Sequence, residues 1–182
     1  MGLINSIFKL FLRQRLLRKQ HVKVGFNSLI DSASKVGSYS YIGYRCLITN
    51  VRIGRYVSIA NNVSIGMGEH PIGNISTNVR FMKDPSILVH DSVTISDDVW
   101  IGENVKVLRG VSLGRGCVIG AGAVVTKNIP PYSIAVGVPA KVMRMRFTED
   151  IIELIENSYW WEKEADEAKK IISELEQILL EK

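Results

Sequence analysis

Residues 101–127 read IGENVK-VLRGVS-LGRGCV-IGAGAV-VTK, in which an aliphatic residue returns at every sixth position. The period begins at Ile95 and ends at Val125, and a small or β-branched residue stands four positions after each of these aliphatics. Two earlier triplets keep the same period, with one residue missing between them: Val36, Ile42 and Ile48, then Ile53, Ile59 and Ile65. A six-residue period fits neither the 3.6-residue turn of an α-helix nor plain strand alternation.

A chain that turns after every short strand explains this period. Three strands form one triangular coil, each strand contributes one inward aliphatic side chain, and stacked coils pair their backbones in parallel. A sandwich of short strands is the alternative, but its spacing is usually less regular and nearer to about eight to twelve residues. The sequence therefore predicts an all-β solenoid with a hydrophobic interior.

Composition narrows the class of protein further. The chain has 182 residues, of which 46% are hydrophobic and 23% are charged, so it has room for one ordinary domain with an appended element and is not disordered throughout. It contains no run of 18 apolar residues, and its two cysteines are too few for a disulfide framework or a Cys-rich zinc site. We therefore expect a soluble protein of a reducing compartment.

Charge is distributed unevenly along the chain. Residues 148–182 hold eleven acidic and four basic residues, a net charge of −7, so residues 1–147 hold 19 basic and 7 acidic residues and a net charge of +12. A basic body of this kind binds anions such as nucleotides, phosphates or an anionic lipid surface, and charge alone does not choose among them.

The pattern predicts three segments. Residues 1–24 form a basic amphipathic N-terminal helix, which either lies on an anionic membrane surface or packs across the open end of the prism. Residues 25–147 form the solenoid, interrupted by a loop at 67–92 where the period disappears. Residues 148–182 form an acidic helical extension with Thr148 as its N-cap, and Trp160-Trp161 anchors it to the solenoid or to a neighbouring subunit.

The hexad run together with Gly137-Val138-Pro139-Ala140-Lys141 resembles the hexapeptide-repeat acyltransferases. Residues 65–71 (IGMGEHP), Ser76-Thr77 and residues 98–102 (DVWIG) are similar to the xenobiotic and surface-polysaccharide O-acetyltransferase branch of that family. The resemblance covers about residues 36–165. It implies a left-handed parallel β-helix, acetyl-CoA as acyl donor, and a homotrimer with its sites between subunits.

His70 is the candidate catalytic residue. It lies in the loop that interrupts the solenoid, and a neutral imidazole can take the proton of a hydroxyl that attacks a thioester. A surface histidine beside a turn proline is the plain alternative, and the resemblance implies that His70 is the general base. The partner that orients the imidazole stays open between Glu69, the adjacent carboxylate, and a backbone carbonyl. His90 and His21 are expected to be surface residues.

The resemblance also implies the residues that contact acetyl-CoA: Trp100, Ala121, Thr126, Lys127, Lys141 and Arg144. Small residues in the last coils suit an extended groove for the pantetheine arm, and cations suit the phosphorylated head. Trp100 has an alternative role beneath a neighbouring subunit. A rival on the same fold, a zinc carbonic anhydrase, needs three histidines with two closely spaced, and this chain has no such pair, so no metal is expected.

Three functions remain to be compared. The first is acetyl-CoA-dependent O-acetylation of a sugar hydroxyl in a bacterial surface polysaccharide (O-antigen, capsule or exopolysaccharide) or its precursor, in the cytoplasm or at the inner face of the cytoplasmic membrane. The second is O-acetylation of an antibiotic such as a streptogramin or chloramphenicol. The third is a non-catalytic β-helix that serves as a binding scaffold. No nucleic-acid partner is expected.

Overall fold

The structure is a computed structural model that describes residue 17 and residues 19–180. The predicted N-terminal helix at residues 1–24 therefore falls mostly outside the described residues. Within them the strands are β1 (Lys23–Val24), β2 (Leu29–Ile30), β3 (Lys35–Val36), β4 (Tyr41–Ile42), β5 (Leu47–Ile48), β6 (Val51–Ile53), β7 (Ser58–Ile59), β8 (Ser64–Ile65), β9 (Val93–Ile95), β10 (Trp100–Ile101), β11 (Lys106–Val107), β12 (Ser112–Leu113), β13 (Val118–Ile119), β14 (Val124–Val125), β15 (Ser133–Val136) and β16 (Lys141–Met145).

Five helical segments complete the described elements. Two are α-helices near the end of the chain, α1 (Glu149–Ser158) and α2 (Ala165–Leu180). Three are short 3₁₀ helices, of which two lie in the 67–92 loop and one joins α1 to α2: Val79–Phe81, Pro85–Val89 and Trp160–Glu162. No helix among the described residues is both long enough and apolar enough to cross a bilayer.

The strands form the three faces of a prism, and successive strands take the faces in turn. Face A carries β1, β4, β7, β10, β13 and β15 in parallel, with β16 antiparallel at its end; face B carries β2, β5, β8, β11 and β14; face C carries β3, β6, β9 and β12. Each coil thus turns at three corners, which we name A/B, B/C and C/A. The predicted parallel solenoid is confirmed, and its left-handed sense stays a prediction.

The repeat aliphatics fill the interior of the prism. Ile42, Ile59, Ile101 and Ile119 stack on face A and are fully buried, and the equivalent residues of faces B and C are buried as well. The small residues four positions later, such as Cys117 and Ala123, are also fully buried. Since apolar burial is the main favourable term in folding, this column of side chains holds the coils together.

Residues in the left-handed backbone region make the corners possible. The A/B corner repeats such a residue in each coil, at Asn27, Arg45, Asn62, Asn104 and Gly122. Asparagine and glycine tolerate positive φ at low cost, which explains why they recur there. A second constraint acts at Gly102, where a Cβ atom would lie 2.6 Å from the backbone nitrogen of Ala121 in the next coil.

The acidic C-terminal extension docks on the C/A corner. Arg55 Nη2 and Tyr56 Oη both donate to the carbonyl of Lys163, at 2.6 and 2.8 Å. Tyr56 also packs against the Trp160 ring, with centroids 5.2 Å apart. The Arg115 guanidinium lies 3.9 Å from the centre of the Trp161 ring and pairs with Glu156. Some of the acidic residues of the C-terminal extension therefore pair with basic residues of the solenoid in the same chain.

Three local features differ from the sequence prediction. The solenoid begins at β1, two residues before the predicted boundary at 25, because Lys23 and Val24 already pair with β4. The strand β16 was not predicted, and it pairs antiparallel with β15 because the chain reverses at residues 137–140. The first α-helix begins after Thr148 as expected, but the Thr148 hydroxyl donates to the Asp150 carboxylate and makes no hydrogen bond to the helix backbone.

We predict that Ile101→Ala lowers the free energy of unfolding by about 2–5 kcal/mol, because Ile101 is fully buried between Ile59 and Ile119. The matched control is Thr94→Ala, an outward position on face C, which should cost less than about 1 kcal/mol. Urea unfolding followed by circular dichroism measures both. Equal losses in the two variants would contradict the assignment of Ile101 to a tightly packed interior.

Candidate active site

The 67–92 loop leaves and re-enters the prism at the B/C corner. The backbone stays in the ladder up to Gly66, whose N–H donates to the Val107 carbonyl at 2.9 Å. It returns to the ladder at Val93, whose N–H donates to the Asn50 carbonyl at 3.2 Å. Regular coils below and above therefore fix both ends of the loop, while its own sequence is free of the hexad.

His70 lies at the start of this loop and is exposed. Its Nδ1 atom is 2.5 Å from the carbonyl oxygen of Thr77. A carbonyl oxygen only accepts hydrogen bonds, so Nδ1 must carry a proton, and the lone pair of the neutral ring lies on Nε2. Of the two orienting partners that the sequence left open, the structure shows the backbone carbonyl.

The other two histidines lack such an arrangement. His90 is exposed, and its Nδ1 atom lies 3.4 Å from the carboxylate of its neighbour Asp91. His21 is exposed and stacks on Tyr39, with ring centroids 5.1 Å apart, at the C/A corner. Neither ring is held by a carbonyl within the described contacts, so His70 is the histidine whose geometry suits general-base chemistry.

Trp100 and Ala121 lie close together near the A/B corner. Face B separates them from the loop that carries His70. The Trp100 side chain points outward on face A between Ser58 and Val118, and 55% of its surface is exposed. Ala121 is exposed at the A/B corner, directly over Gly102 in the coil that contains Trp100. The absence of a Cβ at Gly102 allows this close stacking, which leaves a small-residue surface beside the indole.

Lys141 and Arg144 belong to β16 at the end of face A. Both side chains are exposed, and Arg144 pairs in register with Ile134 of β15. Ile134 pairs with Val118, and Val118 pairs with Trp100. Arg144 thus lies three strand spacings from Trp100 on one sheet, about 14 Å at about 4.8 Å per strand.

Thr126 and Lys127 lie at a different corner. They follow β14 and are exposed at the B/C corner, on the same side of the prism as His70. Since β8, β11 and β14 are neighbours in face B, this corner is two strand spacings from the base of the loop, about 10 Å. The predicted residues therefore form two groups in one chain: His70, Thr126 and Lys127 at the B/C corner, and Trp100, Ala121, Lys141 and Arg144 on face A and the A/B corner.

Two other kinds of group bear on the chemistry. Burial raises the pKa of the Cys117 thiol to about 12, so at neutral pH this thiol stays protonated and is a poor nucleophile. Among residue 17 and residues 19–180, no three His, Cys, Asp or Glu side chains are grouped so as to hold a metal ion.

Residues 71–84 of the loop line an open cleft. Its volume is about 660 Å³, and Pro71, the residue after His70, is one of its lining residues. The other lining residues combine an exposed aromatic ring and aliphatic surface with amide, hydroxyl and charged groups: Asn74, Ile75, Ser76, Phe81, Met82, Lys83 and Asp84. Such a mixture suits an organic ligand that carries hydroxyl groups.

Comparison with known proteins agrees with the solenoid fold. A family model described as bacterial transferase hexapeptide (six repeats) matches residues 92–127, the part of the solenoid from β9 to β14. The chain is also similar to the maltose O-acetyltransferase from Clostridium difficile 630, with 29% identity and a TM-score of 0.50 over 75% of each chain. This chain is a hexapeptide-repeat transferase. The prediction of a hexapeptide-repeat acyltransferase is thereby confirmed.

Two further relatives of this hexapeptide-repeat transferase are informative. The hexapeptide-repeat acetyltransferase from Vibrio cholerae O1 biovar eltor, solved with acetyl coenzyme A, shares its fold with a TM-score of 0.62 and 23% identity over 70% of this chain and 69% of that one. A curated chloramphenicol acetyltransferase from Agrobacterium fabrum is 44% identical over 45 residues, 25% of this chain. The matched stretch spans only 22% of that relative's length.

Sequence reasoning missed one set of contacts, those of Arg109 at the base of the loop. Arg109 follows Leu108, which stands where Gly102 and Gly114 follow the repeat aliphatics of the adjoining strands. The missing glycine after Val107 is visible in the sequence. It does not reveal what the neighbouring Arg109 contacts, because those contacts come from the loop and from another coil.

We predict that the neutral His70 ring carries its proton on Nδ1, because the Thr77 carbonyl can only accept. Long-range ¹H–¹⁵N NMR correlation of the imidazole nitrogens above the pKa distinguishes this tautomer. His90, which is exposed and lacks a carbonyl partner in the described contacts, serves as the internal comparison. A dominant Nε2–H form of His70 would contradict the assignment of Nε2 as the base.

Proposed function

We propose that this hexapeptide-repeat transferase moves the acetyl group of acetyl-CoA to a sugar hydroxyl of a bacterial surface polysaccharide or its precursor. The observation that carries the proposal is the contact of His70 Nδ1 with the Thr77 carbonyl, which leaves Nε2 as a proton acceptor. The neighbouring residue Pro71 lines an open cleft that could hold the acceptor. The relatives named as acetyltransferases, one of them a maltose O-acetyltransferase, support a sugar acceptor.

In the proposed reaction the acceptor hydroxyl attacks the thioester carbonyl of acetyl-CoA directly. His70 Nε2 takes the hydroxyl proton as the new C–O bond forms, which is ordinary general-base catalysis. The tetrahedral intermediate then collapses, the C–S bond breaks, and the imidazolium returns the proton to the leaving thiolate. The products are the O-acetyl ester and free CoA. The high pKa of Cys117 argues against an acyl-enzyme formed on that thiol.

The pantetheine arm of acetyl-CoA would run along the surface that Trp100 and Ala121 form. Lys141 and Arg144 lie at the end of face A, with Arg144 about 14 Å from Trp100, where they would meet the phosphates of the head group. Thr126 and Lys127 would contact the same donor from the B/C corner. Every one of these side chains is exposed in the single chain and so is free to contact a ligand.

A complete site requires more than one copy of the chain, because face B separates His70 from Trp100 and Ala121. Threefold packing about face B would bring the B/C corner of one protomer to the A/B corner of the next. Exposed apolar residues on that face and corner favour such burial: Phe26 is 77% exposed, Leu29 68%, Tyr44 50% and Leu47 40%. The proposed active form is therefore a homotrimer with its sites between subunits.

The proposed reaction takes place in the cytoplasm, since acetyl-CoA is a cytoplasmic metabolite. The inner face of the cytoplasmic membrane is the proposed place of this reaction. The basic amphipathic pattern of residues 3–17 would suit contact with that anionic surface.

A second acceptor class has one specific observation in its favour. The stretch that matches the Agrobacterium fabrum chloramphenicol acetyltransferase is 44% identical, although it covers only a quarter of this chain. The open cleft of the loop, with Phe81 and Met82 in its lining, would also accept an aromatic antibiotic. Chloramphenicol and a streptogramin therefore belong among the acceptors that are tested.

We predict that His70→Ala lowers kcat by about a hundredfold or more while CoA binding and the oligomeric state stay unchanged. The assay follows thiol release from acetyl-CoA with sugars, bacterial glycans, chloramphenicol and a streptogramin as acceptors. His90→Ala is the matched control, because His90 is an exposed histidine of the same loop.

Each outcome of this assay has a distinct meaning. Turnover with a glycan that His70→Ala abolishes and His90→Ala preserves would support the proposal, and turnover with an antibiotic alone would favour the second acceptor class. Full activity of His70→Ala would contradict the mechanism. Failure of the wild-type protein to bind CoA would favour the scaffold function.

A further inference from the structure

The base of the 67–92 loop is held by contacts with the coil below it and the coil above it. Below it, Thr49 and Asn50 form the short corner between β5 and β6. Above it, Arg109 and Gly110 form the corner between β11 and β12. The loop leaves and re-enters the prism between these two corners. Contacts that join the two corners therefore also fix the start of the loop, where His70 lies.

Glu69 makes the contact nearest to His70. Its Oε1 atom accepts the backbone N–H of Arg109 at 3.0 Å. Its own backbone N–H donates to the carbonyl of Leu88 in the returning part of the loop, at 3.3 Å. Glu69 thus joins the outgoing segment both to the coil above and to the returning segment, one residue before the imidazole.

The Arg109 guanidinium completes the connection from the other side. Nη1 donates to the carbonyl of Asp91 at 2.9 Å, and Nη2 donates to the Thr49 hydroxyl at 3.3 Å. The Thr49 hydroxyl in turn donates to the Gly66 carbonyl. The side chain is only partly exposed, and it reaches the end of the loop and the coil below it at the same time.

We propose that Glu69 and Arg109 form a clamp that positions His70 for proton transfer. The inference rests on the proposed function for its catalytic consequence, but the clamp itself is a structural statement about the loop. Glu69 acts here as a positioning residue: its carboxylate bonds to the backbone of Arg109 and makes no described contact with the imidazole, which bonds to Thr77.

The chemistry of this contact separates positioning from a charge effect. The partner of Glu69 Oε1 is a neutral backbone N–H, and the amide oxygen of a glutamine can also accept a hydrogen bond from it. Glu69→Gln should therefore keep the clamp, whereas Glu69→Ala removes the acceptor. If the negative charge of Glu69 acted on the imidazolium instead, Glu69→Gln and Glu69→Ala would lose similar activity.

The test compares Glu69→Gln and Glu69→Ala with Glu153→Ala, which removes an exposed carboxylate on α1. We expect Glu69→Ala to lower kcat by about ten- to a hundredfold, since small misplacements of catalytic groups have effects of this size. KM for acetyl-CoA and the pH profile of kcat/KM should stay unchanged. We expect Glu69→Gln and Glu153→Ala to keep nearly full activity.

Hydrogen–deuterium exchange of residues 67–78 gives a readout that needs no acceptor. Exchange should rise in Glu69→Ala and stay at the wild-type level in Glu69→Gln. Equal activity loss in Glu69→Gln and Glu69→Ala, or unchanged exchange in Glu69→Ala, would overturn the clamp. If the wild-type protein showed no turnover, the proposed function would fail, and the exchange result would still decide whether the clamp exists.

Discussion

The parallel backbone ladder of the prism is the constraint on which the rest of the structure depends. It continues without a shift across the 67–92 loop, because β8 pairs with β11 on face B and β6 pairs with β9 on face C. The loop is therefore an excursion from one corner, with both ends fixed by the same interior packing that forms every coil. Without that ladder, His70 and its carbonyl partner would have no defined position relative to the rest of the surface.

The ladder also determines which surfaces remain open. The acidic C-terminal segment occupies the C/A corner, where Arg55, Tyr56 and Arg115 receive it. Face B and its two flanking corners carry the exposed apolar residues Phe26, Leu29, Tyr44 and Leu47. The same region carries the candidate site residues except Trp100, Lys141 and Arg144, which lie on the adjoining face A. Among residue 17 and residues 19–180, intramolecular charge pairing therefore covers one corner of the prism and leaves the opposite face exposed, as the proposed site between protomers requires.

The fold could be predicted from the sequence because each coil repeats one local rule, an inward aliphatic at every sixth position. Ile101 and Ile119 can be placed in the interior from this local rule alone, without knowledge of distant residues. The loop could be located, at 67–92, because the rule fails there, but its contacts could not. Thr77 bonds to His70 through a backbone carbonyl, which any residue type supplies, and Glu69 meets the backbone N–H of Arg109, forty residues further along the chain. The residue types at these positions therefore do not predict such contacts.

The most direct measurement of the central claim, a site shared between protomers across face B, is activity of mixed assemblies. His70→Ala and Ala121→Glu are first purified alone, where each should be trimeric and inactive, and are then mixed by co-expression. If His70 of one protomer works with Ala121 of the next, one interface in each mixed trimer is intact, and activity returns to about a quarter of wild type for random mixing. Mixed trimers that remain inactive would contradict a shared site.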